Sequence, residues 1–182
     1  MFKKLDILDD SHKVLREISK EVELPLSKED KNIIDNIIKE LKYSQIEEYE
    51  KKYNLRPGMG LAFVQLGILK RIIVIVHEYE DGKFKNYVVI NPKIVSNSAE
   101  EIAAEAGEGC LSVNREIEGH VKRFARVTIE GYDPDGKKIK IRAREELSIA
   151  FQHEIDHLNG ILFYDRIDKN KPFYTEDELR LI

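Results

Sequence analysis

The segment FQHEIDHLNG, residues 151–160, constrains the structure of this chain more than any other part of the sequence. Side chains four residues apart lie on the same side of a helix, one turn apart. His153 and His157 can therefore direct both imidazoles at one metal ion, while Glu154 projects about 100° around the axis from His153. This is the H-E-x-x-H arrangement of metal-dependent hydrolases, in which the glutamate acts on water. The alternative is an amphipathic helix with two surface histidines, but a chain with 5 histidines seldom shows this spacing by chance.

A catalytic metal held by two histidines needs a third protein ligand and an open position for water. Glu176 and Glu178 lie at about the downstream distance expected of the third ligand in thermolysin-like proteases. The other candidate is Cys110, the only cysteine, whose ordinary alternative is burial as a small apolar side chain. The glycines at 107 and 109 allow another backbone to approach closely, which burial alone does not require. We therefore predict Cys110 as the third ligand.

The composition predicts one soluble catalytic domain over residues 1–182. A hydrophobic content of 42% suffices for a core, and the net charge of −4 argues against a nucleic-acid-binding surface. No apolar run approaches the roughly 20 residues that span a bilayer. The N-terminal segment MFKKLDILDDSHKVL lacks the apolar core of a signal peptide. We expect a cytoplasmic protein that contacts neither membrane nor nucleic acid directly.

Helices are predicted near the N-terminus. Ser11 is expected to cap a short helix over 11–20 that ends before Pro25. Ser27 opens a second helix, because Ile33, Ile34, Ile37, Ile38 and Leu41 recur at three- and four-residue spacing after it. The polar segment 44–54 is either the tail of that helix or an exposed insertion.

Short strands follow, and the motif helix is predicted over 145–158. The β-branched and alternating segments predict strands at 72–78, 87–91, 93–98 and 120–133, with another around residues 139–141. Asp81-Gly82 predicts a hairpin turn, and Pro92 is expected to end the strand before it. The fold class is therefore α+β, with antiparallel β-sheets around a central helix that carries the metal motif, and with N-terminal helices.

Three segments, in this order, give the chain a close resemblance to peptide deformylases. They are GMGLAFVQ (58–65), EGCLS (108–112) and QHEIDH (152–157), and the resemblance covers roughly residues 5–168. The EGCLSV form and the additional residues before Gly58 resemble the second bacterial subtype. Phe63 departs from the family pattern, which usually has alanine there, and is expected to change packing behind the oxyanion site.

The resemblance implies an enzyme that removes the formyl group from the N-terminal formylmethionine of new bacterial proteins and releases formate. It implies that Cys110, His153 and His157 bind the metal. Glu154 would take the proton of the attacking water and deliver it to the leaving amine. The Gln65 side-chain amide and the backbone N–H of Leu111 would stabilise the oxyanion.

The resemblance also implies how the substrate is held. An extended peptide would bind through backbone groups near Met59, Gly60 and Leu61 and around Gly109. Ile149 and Ala150, one turn before His153, are candidates for an apolar slot for the methionine side chain, or else are ordinary core residues. Asp156 points away from the ligands and is expected to form an ion pair with Arg123.

Ferrous iron, one ion per chain, is the cofactor that the resemblance implies, and Zn²⁺, Ni²⁺ or Co²⁺ can replace it in purified protein. The expected partner is the N-formylmethionyl nascent polypeptide, with a transient ribosome contact and a monomeric enzyme. The alternative functions are a zinc endopeptidase that uses Glu176 and a scaffold with a structural metal. The scaffold would need four protein ligands and no open position.

Overall fold

The computed structural model of the protein describes residues 2–182, which form three α-helices and eight β-strands. The helices are α1 (Lys28–Ser44), α2 (Glu47–Tyr53) and α3 (Glu145–His157). The strands are β1 (Gly60–Ala62), β2 (Ile72–Glu80), β3 (Lys83–Asn97), β4 (Glu101–Ala103), β5 (Arg123–Phe124), β6 (Arg126–Tyr132), β7 (Lys138–Arg144) and β8 (Arg180–Leu181). Five strands form an antiparallel sheet in the order β1-β2-β3-β6-β7, and three form a second sheet in the order β5-β4-β8. The predicted α+β class is confirmed, although β4 and β8 pair in parallel.

The helix predicted after Ser27 is present as α1. The Ser27 hydroxyl accepts a hydrogen bond from the backbone N–H of Asp30, which satisfies one free donor of the first turn. Ile34, Ile37 and Leu41 lie on one face and are buried against the large sheet. The local spacing of apolar residues thus places α1 on the outer face of that sheet.

The first five residues of β2, 72–76, are buried on both faces of the sheet, because helices cover them from opposite sides. Ile73 and Ile75 pack in the same cluster as Phe151 of α3, whereas Ile72 and Val74 pack in the cluster that contains α1. A strand covered on both faces has a nearly continuous apolar sequence, as IIVIV does here. The helix α3 therefore lies centrally, as predicted, and is held against β1, β2 and β7.

The predicted helix over 11–20 is wrong. The segment contains only one turn of 3-10 helix, Lys13–Arg16, preceded by His12, and Ser11 does not cap it. The backbone N–H groups of Ser19 and Lys20 donate to Leu158 and Leu69 at 2.9 and 3.0 Å. These long-range hydrogen bonds favour an extended chain. In addition, a helix of the predicted length is only marginally stable by itself.

Pro92 does not end a strand, and this prediction is also wrong. The strand β3 continues through it to Asn97, and its register with β6 shifts between Ile90 and Lys93. A proline lacks the N–H that a sheet ladder needs, but an irregularity of this kind tolerates it. The two strands predicted at 87–91 and 93–98 are therefore one.

Two further segments differ from the prediction in detail. The strand predicted over 120–133 is divided into β5 and β6, which belong to different sheets. The segment 44–54 contains a separate helix, α2, none of whose residues is buried.

No helix within residues 2–182 has the length and apolar character needed to cross a membrane.

Candidate metal centre

The structure brings Cys110, His153 and His157 together. One potential ligand atom from each of the three lies within 4.8 Å of the others, and all three residues are buried. The two histidines lie one turn apart on α3, and Cys110 comes from the segment between β4 and β5. The His157 Nε2 atom lies 3.3 Å from the cysteine Sγ, and the backbone N–H of Ser112 donates to that sulfur at 3.4 Å. The spacing prediction for the two histidines and the choice of Cys110 thus lead to one cluster.

The residues of this cluster fit a catalytic divalent cation. A thiolate and two imidazoles are three protein ligands, which is the number found in catalytic zinc sites with an open fourth position. Cys110 and His153 line a cavity of about 540 Å³, so the cluster is open on that side. Glu178, the alternative downstream candidate, is exposed and accepts from Lys171 and from the backbone N–H of Thr175 at 3.1 Å. Neither Glu176 nor Glu178 belongs to the ligand cluster found among residues 2–182.

Glu154 lies in the same cavity and is suited to proton transfer. Its side chain is buried, and its Oε2 atom has no hydrogen-bond partner among residues 2–182. Burial raises the pKa of Glu154 to about 7. A general base works best with a pKa near the operating pH, so this carboxylate can both accept and return a proton.

Gln65 is held with its amide donor directed towards the cluster. Its Oε1 accepts from the backbone N–H of Ala62 at 2.8 Å, and its Nε2 donates to the Ser112 hydroxyl at 3.0 Å and lies 3.8 Å from the Cys110 sulfur. Leu111 follows Cys110 directly and lines the same cavity. Both proposed oxyanion donors therefore belong to residues at the wall of the cavity.

The six residues predicted to bind the substrate differ in whether they line the cavity. Five of the six line the cavity: Met59, Gly60, Gly109, Ile149 and Ala150. The side chain of Leu61 is fully buried in the α1 cluster, so only its backbone is available to a ligand. Its strand, β1, is an edge strand of the large sheet and can accept an extended peptide. Phe63, the departure from the family pattern, is fully buried in the same cluster as Leu61.

Glu108 also belongs to the site, although no role was predicted for it. Its Oε2 accepts from His153 Nδ1 at 2.8 Å, and the Arg123 guanidinium donates to both of its oxygens at 2.7 and 3.0 Å. Burial opposes ionisation, but these hydrogen bonds lower the pKa of Glu108 to about 2. The carboxylate therefore fixes the ring of His153 with Nε2 free for a metal. A general rule could have found it, because metal-binding histidines nearly always donate their second N–H to such a group.

The ion pair predicted between Arg123 and Asp156 is present, at 2.5 Å.

Arg56 is a second residue of the site for which no role was predicted. Its Nη2 donates to the carbonyl oxygens of Cys110 and Val113 at 3.0 and 2.9 Å. This arginine holds the loop that carries Cys110.

Comparisons with known proteins agree with the three ordered segments. The family model described as polypeptide deformylase matches residues 4–173. The chain is 47% identical over 175 residues to the peptide deformylase of Macrococcus caseolyticus, covering 95% of each chain. It is 45% identical over 172 residues to peptide deformylase 2 of Geobacillus stearothermophilus, covering 94% of each. The crystal structure of peptide deformylase from Thermotoga maritima superimposes with a TM-score of 0.71 at 30% identity, covering 91% of this chain and 99% of that one.

Proposed function

This chain belongs to the polypeptide deformylase family, and we propose that the cavity beside Cys110, His153 and Glu154 is its active site. The chain is a hydrolase that removes the N-formyl group from nascent polypeptides. The observation that carries the residue assignment is the convergence of a buried thiol, two imidazoles and a carboxylate on one open cavity.

We propose that Cys110, His153 and His157 bind one Fe²⁺ per chain, and that Zn²⁺, Ni²⁺ or Co²⁺ can replace it. A cation bound there supplies Lewis-acid chemistry, polarising the formyl carbonyl and making water more acidic. The thiol and imidazole donors suit iron and zinc equally, so the choice of iron depends on the resemblance to the family. Metal analysis of protein purified without oxygen tests it.

The remaining steps belong to side chains of this protein. Glu154 takes a proton from the water that attacks the formyl carbon and later delivers it to the amine nitrogen as the C–N bond breaks. Gln65 Nε2 and the Leu111 N–H donate to the oxyanion of the tetrahedral intermediate. Deleting one such donor in another hydrolase costs about 3–4 kcal/mol.

The substrate lies along the open edge of β1 in this proposal. Backbone groups of residues 59–61 and of Gly109 bind the extended peptide, and Ile149 with Ala150 contacts the methionine side chain. All of these except Leu61 line the cavity, which supports the assignment. The protein is then a monomeric cytoplasmic enzyme of one domain that meets its substrate in transient contact with the ribosome.

Peptide hydrolysis tests the proposed function. We expect formate release from formyl-Met-Ala-Ser and negligible hydrolysis of acetyl-Met-Ala-Ser, because the acetyl methyl group displaces the oxyanion from its donors. A displacement of about 1 Å costs ~100-fold in rate. We also expect formyl-Met to be preferred over formyl-Asp, because Ile149 and Ala150 are apolar. Comparable kcat/KM for the acetyl peptide, or similar cleavage of internal bonds in casein, would instead favour the zinc endopeptidase.

A further inference from the structure

Four charged side chains continue outward from the metal-binding histidine His153 and end at the protein surface. Their order from the histidine is Glu108, Arg123, Asp156 and Arg166, so negative and positive groups alternate. We call these four residues the charge chain. The exposed fractions of the Glu108, Arg123 and Asp156 side chains are 4%, 2% and 7%, whereas that of Arg166 is 42%.

Direct hydrogen bonds join the four residues of the charge chain, and two of the three links are bidentate. Arg166 donates from Nε and Nη2 to the two oxygens of Asp156, both at 2.5 Å. Arg123 donates from Nη1 to Asp156 at 2.5 Å and from Nε and Nη2 to Glu108 at 2.7 and 3.0 Å. Arg123 is therefore shared between two carboxylates, and its position depends on how strongly each attracts it.

Arg166 balances the charge of the three buried members of the charge chain. Glu108 and Asp156 carry two negative charges, and Arg123 and Arg166 carry two positive charges. Without Arg166, Asp156 would be a buried carboxylate with Arg123 as its only cationic partner, and Arg123 would be drawn towards it. A buried charge that loses a partner is strongly destabilised, so such a shift is favourable. Glu108 would then be held less firmly, and with it the ring of His153.

We propose that Arg166 is a positioning residue for the metal centre. It acts on His153 through Asp156, Arg123 and Glu108. This inference rests on the proposed role of His153 as a ligand and adds to it a residue at the surface of the protein. Arg166 ends a single turn of 3-10 helix, Phe163–Arg166, so its position is set by a segment outside α3. The retention of metal therefore depends on the docking of this turn.

A merely structural role for Arg166 makes a different prediction. Arg166 ties the 3-10 turn to α3, and loosening that turn could disturb the site without any charge chain. Asp165 offers a matched control in the same turn. Its carboxylate accepts from the backbone N–H of Leu162 at 2.8 Å and pairs with Arg16, but it does not touch Asp156 or the rest of the charge chain.

The test is the rate at which Zn²⁺ passes from the loaded protein to excess chromophoric chelator at fixed pH, without substrate. Replacing groups that hold a metal-binding histidine typically costs 10–100-fold in affinity. Because Arg166 acts on His153 through other side chains, we expect Zn²⁺ release from Arg166→Gln to be about 10-fold faster than from the wild type. The release rate should increase less in Arg166→Lys, and by no more than about twofold in Asp165→Asn. The visible spectrum of the Co²⁺-loaded protein should change in Arg166→Gln and stay unchanged in Asp165→Asn.

Two results would overturn the inference. One is an unchanged release rate in Arg166→Gln, and the other is equal acceleration in Arg166→Gln and Asp165→Asn, which would mean that loosening the turn is sufficient. If Arg166→Gln does not fold, the comparison of Arg166→Lys with Asp165→Asn decides in the same way. A wild-type protein that retains Zn²⁺ on its three ligands but releases no formate would refute the proposed function and leave this inference standing.

Discussion

Replacing Gly60 by alanine should disable the enzyme through Glu154. A Cβ atom built on Gly60 would lie only 2.8 Å from both Cγ and Cδ of Glu154, whereas ordinary contacts are 3.4–4 Å. The glutamate is buried, so either its carboxylate or the edge of β1 must move by roughly 1 Å. A misplacement of that size costs ~100-fold in rate, which corresponds to about 2.7 kcal/mol of transition-state stabilisation.

A double-mutant cycle provides the measurement. We would determine kcat/KM for formyl-Met-Ala-Ser in the wild type, Gly60→Ala, Glu154→Ala and the double variant, each with its metal content. Glu154→Ala should retain metal and lose ~10²–10⁴-fold in turnover. Because alanine at 154 leaves room for the new methyl group, Gly60→Ala should cost less than about threefold in that background.

The same cycle can refute the reasoning. If Gly60→Ala costs ~100-fold in both backgrounds, it acts on the substrate or the metal and not through Glu154. If it costs nothing in the wild type, the proposed position of the carboxylate is wrong. Loss of metal from Glu154→Ala would show that this residue is a ligand or a structural group.

Three further outcomes are expected. Cys110→Ala should lose metal and activity together while Glu178→Gln keeps both, and a metal content near one per chain in Cys110→Ala would contradict the ligand assignment. Phe151→Ala should lower the free energy of unfolding by about 3–5 kcal/mol in urea titration, because its side chain is fully buried between α3 and the large sheet. Lys70→Gln should cost about 1 kcal/mol at pH 7, since its ammonium lies 2.6 and 2.8 Å from the Asp30 carboxylate oxygens and is itself partly exposed. Burial opposes ionisation of Asp30, but Lys70 lowers its pKa below the usual value, so the difference in stability should vanish as the pH falls through that pKa.

Much of the fold and of the site could be predicted from local patterns. Ser27 and the apolar spacing after it predicted α1, and the H-E-x-x-H spacing predicted where both histidines point, because helical geometry depends on neighbours only a few residues away. The segments around Gln65 and Cys110 added the other site residues through family resemblance. These features required no knowledge of which strands pair.

Features that depend on distant contacts could not be predicted in this way. Residues 11–20 stay extended beyond one turn because their backbone bonds reach Leu158 and Leu69, and β3 continues through Pro92 because β6 pairs with it on both sides of an irregularity. A local pattern carries no information about such partners.

The sequence alone determined which reactive groups the candidate site offers. A thiol, two imidazoles and a carboxylate are properties of residue types, and helical spacing together with family resemblance singled out these four residues. Only the tertiary structure decided what holds them in place. Glu108 meets the ring of His153 across 45 positions of the chain, and Arg123 meets Asp156 across 33. Contacts so remote in sequence arise when the helix and the two sheets pack together, because burial forces each charged group to find a partner of opposite sign.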